Sequence, residues 1–332
     1  MANQQNNEIP ISENPVTSLT EFLSRVIEFT NGLEKDQQVW FRGHSSTDYK
    51  LIPNLYRQII EDQPFRPANV LRPRQINMVE RGIDASFSRQ AHGFLASSNM
   101  ANTPMNRYFL KQHYKINTRL LDWTESALTA LYFAVKDQSN NTSDAKVYLL
   151  LPFLLNNHTI QTLKKDSSRK AYMIFSGSED FSKEGPLFNS KDELRMNQLL
   201  YKYYILDIQD GESLYPIAIY PPYLDQRMAA QKSCFTMFGN IIDGLKAGTN
   251  TEQFLFSIQI EKESKGKILS ELRTIGYTEF SVYPDLDGLG QSINTEYDYR
   301  VTQERLAESM EMLANYFQSL GEEPTEEKDI ED

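Results

Sequence analysis

Two adjoining stretches limit what this chain can fold into more than any others: RLLDWTESALTALYFAVKD, starting at Arg119, and AKVYLLLPFLL, starting at Ala145. In the first, Ala127, Leu128, Leu131, Ala134 and Val135 share one helical face, and the small alanines predict close approach to a neighbouring element. Asp122 with Glu125 three residues later predicts a capping-box-like start, with Asp in place of Ser or Thr. The second stretch has too few polar residues for a strand with one wet face, so it is read as covered on both sides. An apolar helix beside a doubly covered strand calls for a layered fold of mixed type.

The remaining pattern agrees with that architecture. TSLTEFLSRVIEFTNGL repeats apolar residues close to a 3.6 period and stops at Asn31-Gly32, which predicts a helix. QVWFRG reads as a short, largely buried strand ended by Gly43. Residues 72–97 read as helical after Pro73, NRYFLKQHYKINT as a helix running into a turn, and 156–197 as loop-rich. LYPIAIYPPY and TEQFLFSIQIEKES read as strands, and QRMAAQKSCFTMFG starts helical and finishes as a strand. KILSELRTIG is a short helix ending at Gly276, YTEFSVYPDLDGLG closes the core, and TQERLAESMEMLANYFQSL forms a last helix. The expected fold is a single α+β mixed domain with a central, mostly antiparallel sheet flanked by helices. The expected organisation is a flexible N-terminus over 1–15, a domain over 16–295, a C-terminal helix over 296–320 and an acidic disordered tail over 321–332.

Charge is spread unevenly over the 332 residues, whose net charge is −11. Arg42 to Arg119 holds nine arginines and three lysines against five acids, a balance of +7. GEEPTEEKDIED at the C-terminus holds seven acids and one lysine, a balance of −6. The basic stretch is where phosphates are expected to be met; its alternative is a solvated face paired with the acidic remainder. One cysteine, Cys234, excludes an internal disulfide framework and suits a reducing, cytoplasmic setting. The four histidines have no metal-ligand spacing, and no apolar run is long enough to cross a bilayer. Walker, Rossmann, nucleophile-elbow and zincin motifs are absent.

Arg42 stands out, because a guanidinium in an apolar strand is costly to desolvate without a fixed partner. Two readings stay open. Arg42 binds a phosphate or carboxylate, with Gly43 letting the ligand approach the backbone, or it forms a buried ion pair with Asp122 or Asp285. Gln112, His113 and Tyr114 precede a turn, and Thr118, Arg119 and Asp122 follow it. His113 suits general acid or base chemistry, and Tyr114 suits stacking on a base or nicotinamide ring. Arg119 is a candidate for ligand binding or, three residues from Asp122, for an internal pair. Gln231 either meets a ribose hydroxyl or base edge or caps a backbone group. Cys234 reads as an inert buried thiol and Trp123 as core. Asp285 and Asp287 either hold Mg²⁺ beside a phosphate or begin a turn, with the turn favoured for Asp287.

WFRG at 40–43, KQHYKINTRLLDWTESALTALYFAV at 111–135, RMAAQKSCFT at 227–236 and GYTEFSVYPDLDGL at 276–289 resemble, in order, the FRG domain family. That family takes its name from the tripeptide that is here Phe41-Arg42-Gly43. More distantly, Arg42-Gly43 resembles the first catalytic strand of ADP-ribosyltransferases, and Gln259-Ile260-Glu261 and Glu261-Lys262-Glu263 match the acidic patterns of that superfamily. No Ser-Thr-Ser strand stands in the expected place, although Ser126 precedes the central helix. This resemblance implies an ADP-ribosyltransferase-like fold and an enzyme that uses NAD as substrate, of the toxin or phage-defence effector type. Arg42, His113 and Glu279 would be catalytic, with Arg42, Gly43, Tyr114, Arg119 and Gln231 holding the nucleotide and no metal. The acceptor would be nucleic acid or protein. Competing with it are a non-catalytic nucleotide- or nucleic-acid-binding module, stacking bases on Tyr108, Tyr114 and Trp123, and a regulator docking through the helix from Thr302 to Leu320.

Overall fold

The computed structural model describes residues 14–35, 37–61, 72–97, 101–137, 142–165, 203, 214–246 and 253–320. The expected loose segment before residue 14, most of the loop-rich stretch at 156–197 and the acidic tail lie outside these residues. The chain divides after Tyr277.

The first unit carries a six-stranded antiparallel sheet. Its strands are β1 (Trp40–His44), β2 (Leu120–Thr124), β3 (Ala145–Leu150), β4 (Ile217–Ile219), β5 (Ser233–Met237) and β6 (Leu255–Ile260), in the order β4-β5-β2-β1-β3-β6. The fold is therefore α+β, as the pattern required. β3 is interior and five of its six residues are buried, which explains why it lacks a polar face. It stops at Leu150, earlier than the apolar run does, because Pro152 opens a helix, α7 (Pro152–Lys165).

Helices α1 (Leu19–Asn31), α2 (Asn54–Glu61), α3 (Pro73–Gln90), α4 (His92–Ser97), α5 (Pro104–His113), α6 (Ala127–Val135), α8 (Gln226–Ala230) and α9 (Lys265–Thr274) complete the unit's main elements. α1 begins where Ser18 accepts a hydrogen bond from the Glu21 amide, and it buries Leu19, Phe22, Val26 and Phe29. The start of α6 differs from expectation. Asp122 lies inside β2, and Ser126 caps α6 by accepting from the Thr129 amide at 3.2 Å. Local capping lost to the sheet: Leu120 to Thr124 pair with Ser233 to Met237 over five positions and bury Leu120, Leu121 and Trp123.

The sharpest packing constraint lies between β1 and α6. A Cβ placed on Gly43 would sit 1.9 Å from the Ala130 carbonyl oxygen and 2.7 Å from the Ala134 nitrogen. Ala130 and Ala134 are fully buried, so small residues on both partners set this close approach, as the alanines predicted. The strand does not end at Gly43 but continues to His44. Gly43 is thus occupied by helix packing, and its missing side chain makes room for α6, not for a ligand.

The second unit holds α10 (Glu279–Val282), α11 (Leu286–Glu296) and α12 (Tyr299–Leu320). Thr278 and Ser281 form a capping box on α10. Asp285 caps α11 by accepting from the Gly288 amide at 2.8 Å, which accounts for it as a helix start. From Thr278 onward the segment expected to close the core belongs to this unit, where Val282 is fully buried. α12 matches the expected last helix, and its Leu306, Met310, Leu313 and Leu320 are all more than half exposed.

Replacing Gly43 by Ala drives a methyl into the α6 backbone, which side-chain repacking cannot relieve. The expected loss is about 3 kcal/mol or more, read as a lowered denaturation midpoint or an absence of folded protein. A Gly43→Ala variant as stable as the wild type would contradict the β1–α6 contact.

Candidate functional site

β1 alternates, so Gly43 faces α6 while Arg42 and His44 turn to the opposite face. Arg42 is only partly buried, with its side chain 19% exposed. Its Nη1 donates to the Asp122 carbonyl at 2.6 Å and lies 3.8 Å from the Asp122 carboxylate. Its Nε donates to Nε2 of His44 at 2.9 Å. Of the two internal partners considered, Asp122 is the one found. The pairing leaves both groups in reach of solvent, because the Asp122 side chain is 59% exposed. Burial lowers the Arg42 pKa, Asp122 opposes that, and Arg57 adds to it.

The residues around the turn fall into two polar groups. Gln112 Nε2 donates to both carboxylate oxygens of Asp122 at 3.0 Å, and the Thr118 hydroxyl donates to Gln112 Oε1. Arg42, Asp122, Gln112 and Thr118 therefore form one hydrogen-bonded chain. His113, next along α5, turns instead to Asp225, with Nε2 2.7 Å from the carboxylate. Asp225 is fixed from behind, since its other oxygen accepts from the Met228 amide at 2.8 Å and caps α8. Burial lowers the His113 pKa, while Asp225 and Asp122 partly oppose the shift. The result is a carboxylate-oriented imidazole that favours the neutral form.

Tyr114 meets the His113 ring edge-on, with centroids 5.0 Å apart, and is 65% exposed. Beside it lies a cavity of about 840 Å³ lined by Ile83, Phe87, Phe94, Leu110, Tyr114 and Asp225, among others. Asp225 thus joins the imidazole to an apolar hollow large enough for a small molecule.

Other candidates have different roles. Arg119 is fully buried; its Nε donates to Glu80 at 2.9 Å, and Tyr108 donates to the same oxygen at 2.7 Å. It pairs with Glu80 and not with Asp122, because Glu80 projects from α3 to where the guanidinium lies. Gln231 terminates α8, and its carbonyl accepts from the Thr124 hydroxyl at 2.6 Å. Cys234 is buried and its thiol is pushed well up by burial, as an inert thiol should be. Glu261 accepts from the Ser264 hydroxyl at 2.8 Å. Glu279 opens α10 in the second unit, and burial raises its carboxyl above the ordinary value. No metal-binding group of three or more His, Cys, Asp or Glu occurs among the described residues.

Sequence reasoning overlooked His44 and Tyr148. His44 stands two residues beyond Arg42, so strand alternation alone puts both on one face. His44 is 4% exposed and accepts from Arg42 on Nε2, with Nδ1 3.3 Å from the Tyr49 carbonyl. That arrangement requires the neutral imidazole with its proton on Nδ1. Burial, and then the Arg42 charge, push its pKa down to about 3.

Residues 37–143 match the model of the FRG domain. The match spans β1 through α6 and contains the first two resembling blocks; those at 227–236 and 276–289 lie beyond it. No curated protein and no solved structure matches the chain.

The His44 shift sets an acid limit on stability. Unfolded, the imidazole takes a proton below about pH 6.5, whereas in the fold it stays neutral down to about 3. The unfolded chain therefore binds more protons in that window, and stability falls as pH falls, by about 1.4 kcal/mol per unit. Denaturant titrations between pH 7 and 5.5 should show this slope in the wild type and its reduction in His44→Gln, which keeps only the part that the lowered His113 pKa contributes. An equal slope in both would remove His44 as its source.

Proposed function

We propose, from the premise that this chain carries an FRG domain, that it is a nucleotide-using enzyme of the ADP-ribosyltransferase type with NAD as substrate. The observation that carries the reading is the His113–Asp225 pair, with Asp225 and Tyr114 both lining one cavity. A neutral, oriented imidazole is suited to take a proton from an acceptor hydroxyl, thiol or amide as it attacks. Tyr114 offers an exposed ring face to nicotinamide or adenine, and Arg42 offers a phosphate its guanidinium. Breaking the bond between ribose and nicotinamide develops positive charge on the ribose, which a carboxylate stabilises. Such a reaction belongs to a bacterial or phage-defence effector, with nucleic acid or protein as acceptor.

A second reading is a nucleic-acid-binding module. It is favoured by the surplus of cations near Arg42, where Arg57 and Lys246 both act on His44. Its affinity would fall steeply with salt.

Incubation with NAD labelled in the adenosine half, with mixed protein and nucleic-acid acceptors, tests the enzymatic reading. Release of nicotinamide is expected, with His113→Ala lowering kcat by about 10²–10⁴-fold and Arg42→Ala raising KM. In the wild type kcat should fall as pH drops through the lowered pKa of His113, the base being lost on protonation. No turnover together with no thermal shift by NAD would overturn it, and salt-sensitive oligonucleotide binding would then favour the second reading.

A further inference from the structure

Among the described elements α12 is the longest helix, at 22 residues, and every residue on it from Leu306 to Leu320 is exposed. A helix with no covered face rests on backbone propensity alone, whereas most helices in proteins are held by the packing of an apolar stripe. α12 carries such a stripe. Leu306, Met310, Leu313, Phe317 and Leu320 follow one another in steps of four, three, four and three residues. That alternation is the spacing of a seam between two supercoiled helices, narrower than the face a helix turns to a globular core. Phe317 is 37% exposed and the other four more than half.

The flanks of the seam point to what covers it. With the three leucines at heptad position d and Met310 and Phe317 at a, the e and g positions fall to Ala307, Ala314, Ser309 and Tyr316, none of them charged. The charges of this stretch, Glu308 and Glu311, fall at f and b, away from the seam. Charged e and g residues are what select a different partner. Here that device is missing, so two identical seams meet without like charges opposed. Alanine and serine beside the seam also let two backbones come close. With large apolar side chains carrying about 200 Å² each, the exposed fractions of the five seam residues and Tyr316 amount to about 600 Å² per copy. Two copies together cover about 1,200 Å², at the lower end of specific protein interfaces.

We propose that α12 pairs with α12 of a second copy of this chain, as a short two-stranded coiled coil that makes the protein a dimer. Each copy offers the same surface, so the interface is isologous and closes on itself. The inference concerns the second unit alone and is independent of the NAD reading above.

Sedimentation equilibrium of the full chain tests it. The mass should rise from that of one copy, 38.4 kDa, toward twice that value between about 1 and 100 µM, the range suited to an interface this small. The Met310→Glu/Leu313→Glu double variant sets like charges against one another across the seam and should weaken pairing at least ten-fold. Both side chains are exposed in the single copy, so the variant should unfold as cooperatively as the wild type does when both are dilute. Glu308→Gln, on the side away from the seam, should pair as the wild type does. A single copy persisting at about 100 µM would overturn the pairing in favour of a different partner for α12. A dimer undisturbed by the double variant would place the contact elsewhere and overturn the seam.

Discussion

The contact between Gly43 and the α6 backbone governs the arrangement of this domain. Only hydrogen fits between β1 and the Ala130 carbonyl, so the helix lies against the strand and fixes which face of β1 is interior to it. Pleating then leaves Arg42 and His44 no choice but the opposite face. The tripeptide Phe41-Arg42-Gly43 reads as three consecutive physical demands. Phe41 fills the core at 5% exposure, Gly43 admits the helix, and Arg42 is delivered to the far side. Its neighbours there come from β3, whose register sets Tyr148 and Lys146 beside it.

Two arginines from the same basic stretch differ in how far their charge is matched inside the protein. Arg119 is fully enclosed and meets Glu80 and Tyr108, so its charge is matched inside the protein. Removing Glu80 or Arg119 alone would leave an uncompensated buried ion, which costs about 3–5 kcal/mol; the pair locks α3 to the start of β2. Lys111, 3% exposed and 2.8 Å from Asp84, ties α5 to the same helix. Arg42 has a different environment. Its carboxylate partner is mostly solvated and sits at 3.8 Å, a geometry worth little as a salt bridge, and the shorter contacts go to a backbone carbonyl and a neutral imidazole.

Much of this was legible from residue order alone. Periodicity found α1, α3, α6, α9 and α12 and every strand but β2, because each carries apolar residues at the spacing its geometry demands. It failed where a local signal competed with a distant one. Asp122 and Glu125 have the spacing of a cap, but β2 gains a five-residue ladder with β5, and no local rule reports a partner more than a hundred residues away. Charge pairing failed for the same reason: Arg119 is three residues from Asp122 yet meets Glu80, which lies thirty-nine residues back on α3. The Gln112–Asp122 and Arg42–Asp122 contacts join residues that the sequence had singled out, whereas Asp225, the partner of His113, carried no signal beyond being an ordinary helix cap.

The double use of Asp225 explains why the imidazole is well placed. A surface carboxylate near a histidine has many rotamers, and holding one of them has an entropic cost. At Asp225 that cost is already met by the cap, since one oxygen is tied to the Met228 amide at 2.8 Å and only the other is left for His113. Asp122 is treated in the same way: Gln112 holds both its oxygens while its carbonyl receives Arg42. Each aspartate is thus oriented by an amide group, and each in turn meets an ionisable side chain, Arg42 or His113. Because Gln112 and His113 are consecutive on α5, a single helix end sets the Arg42 side and the His113 side of the site together. A shift of that helix end moves both.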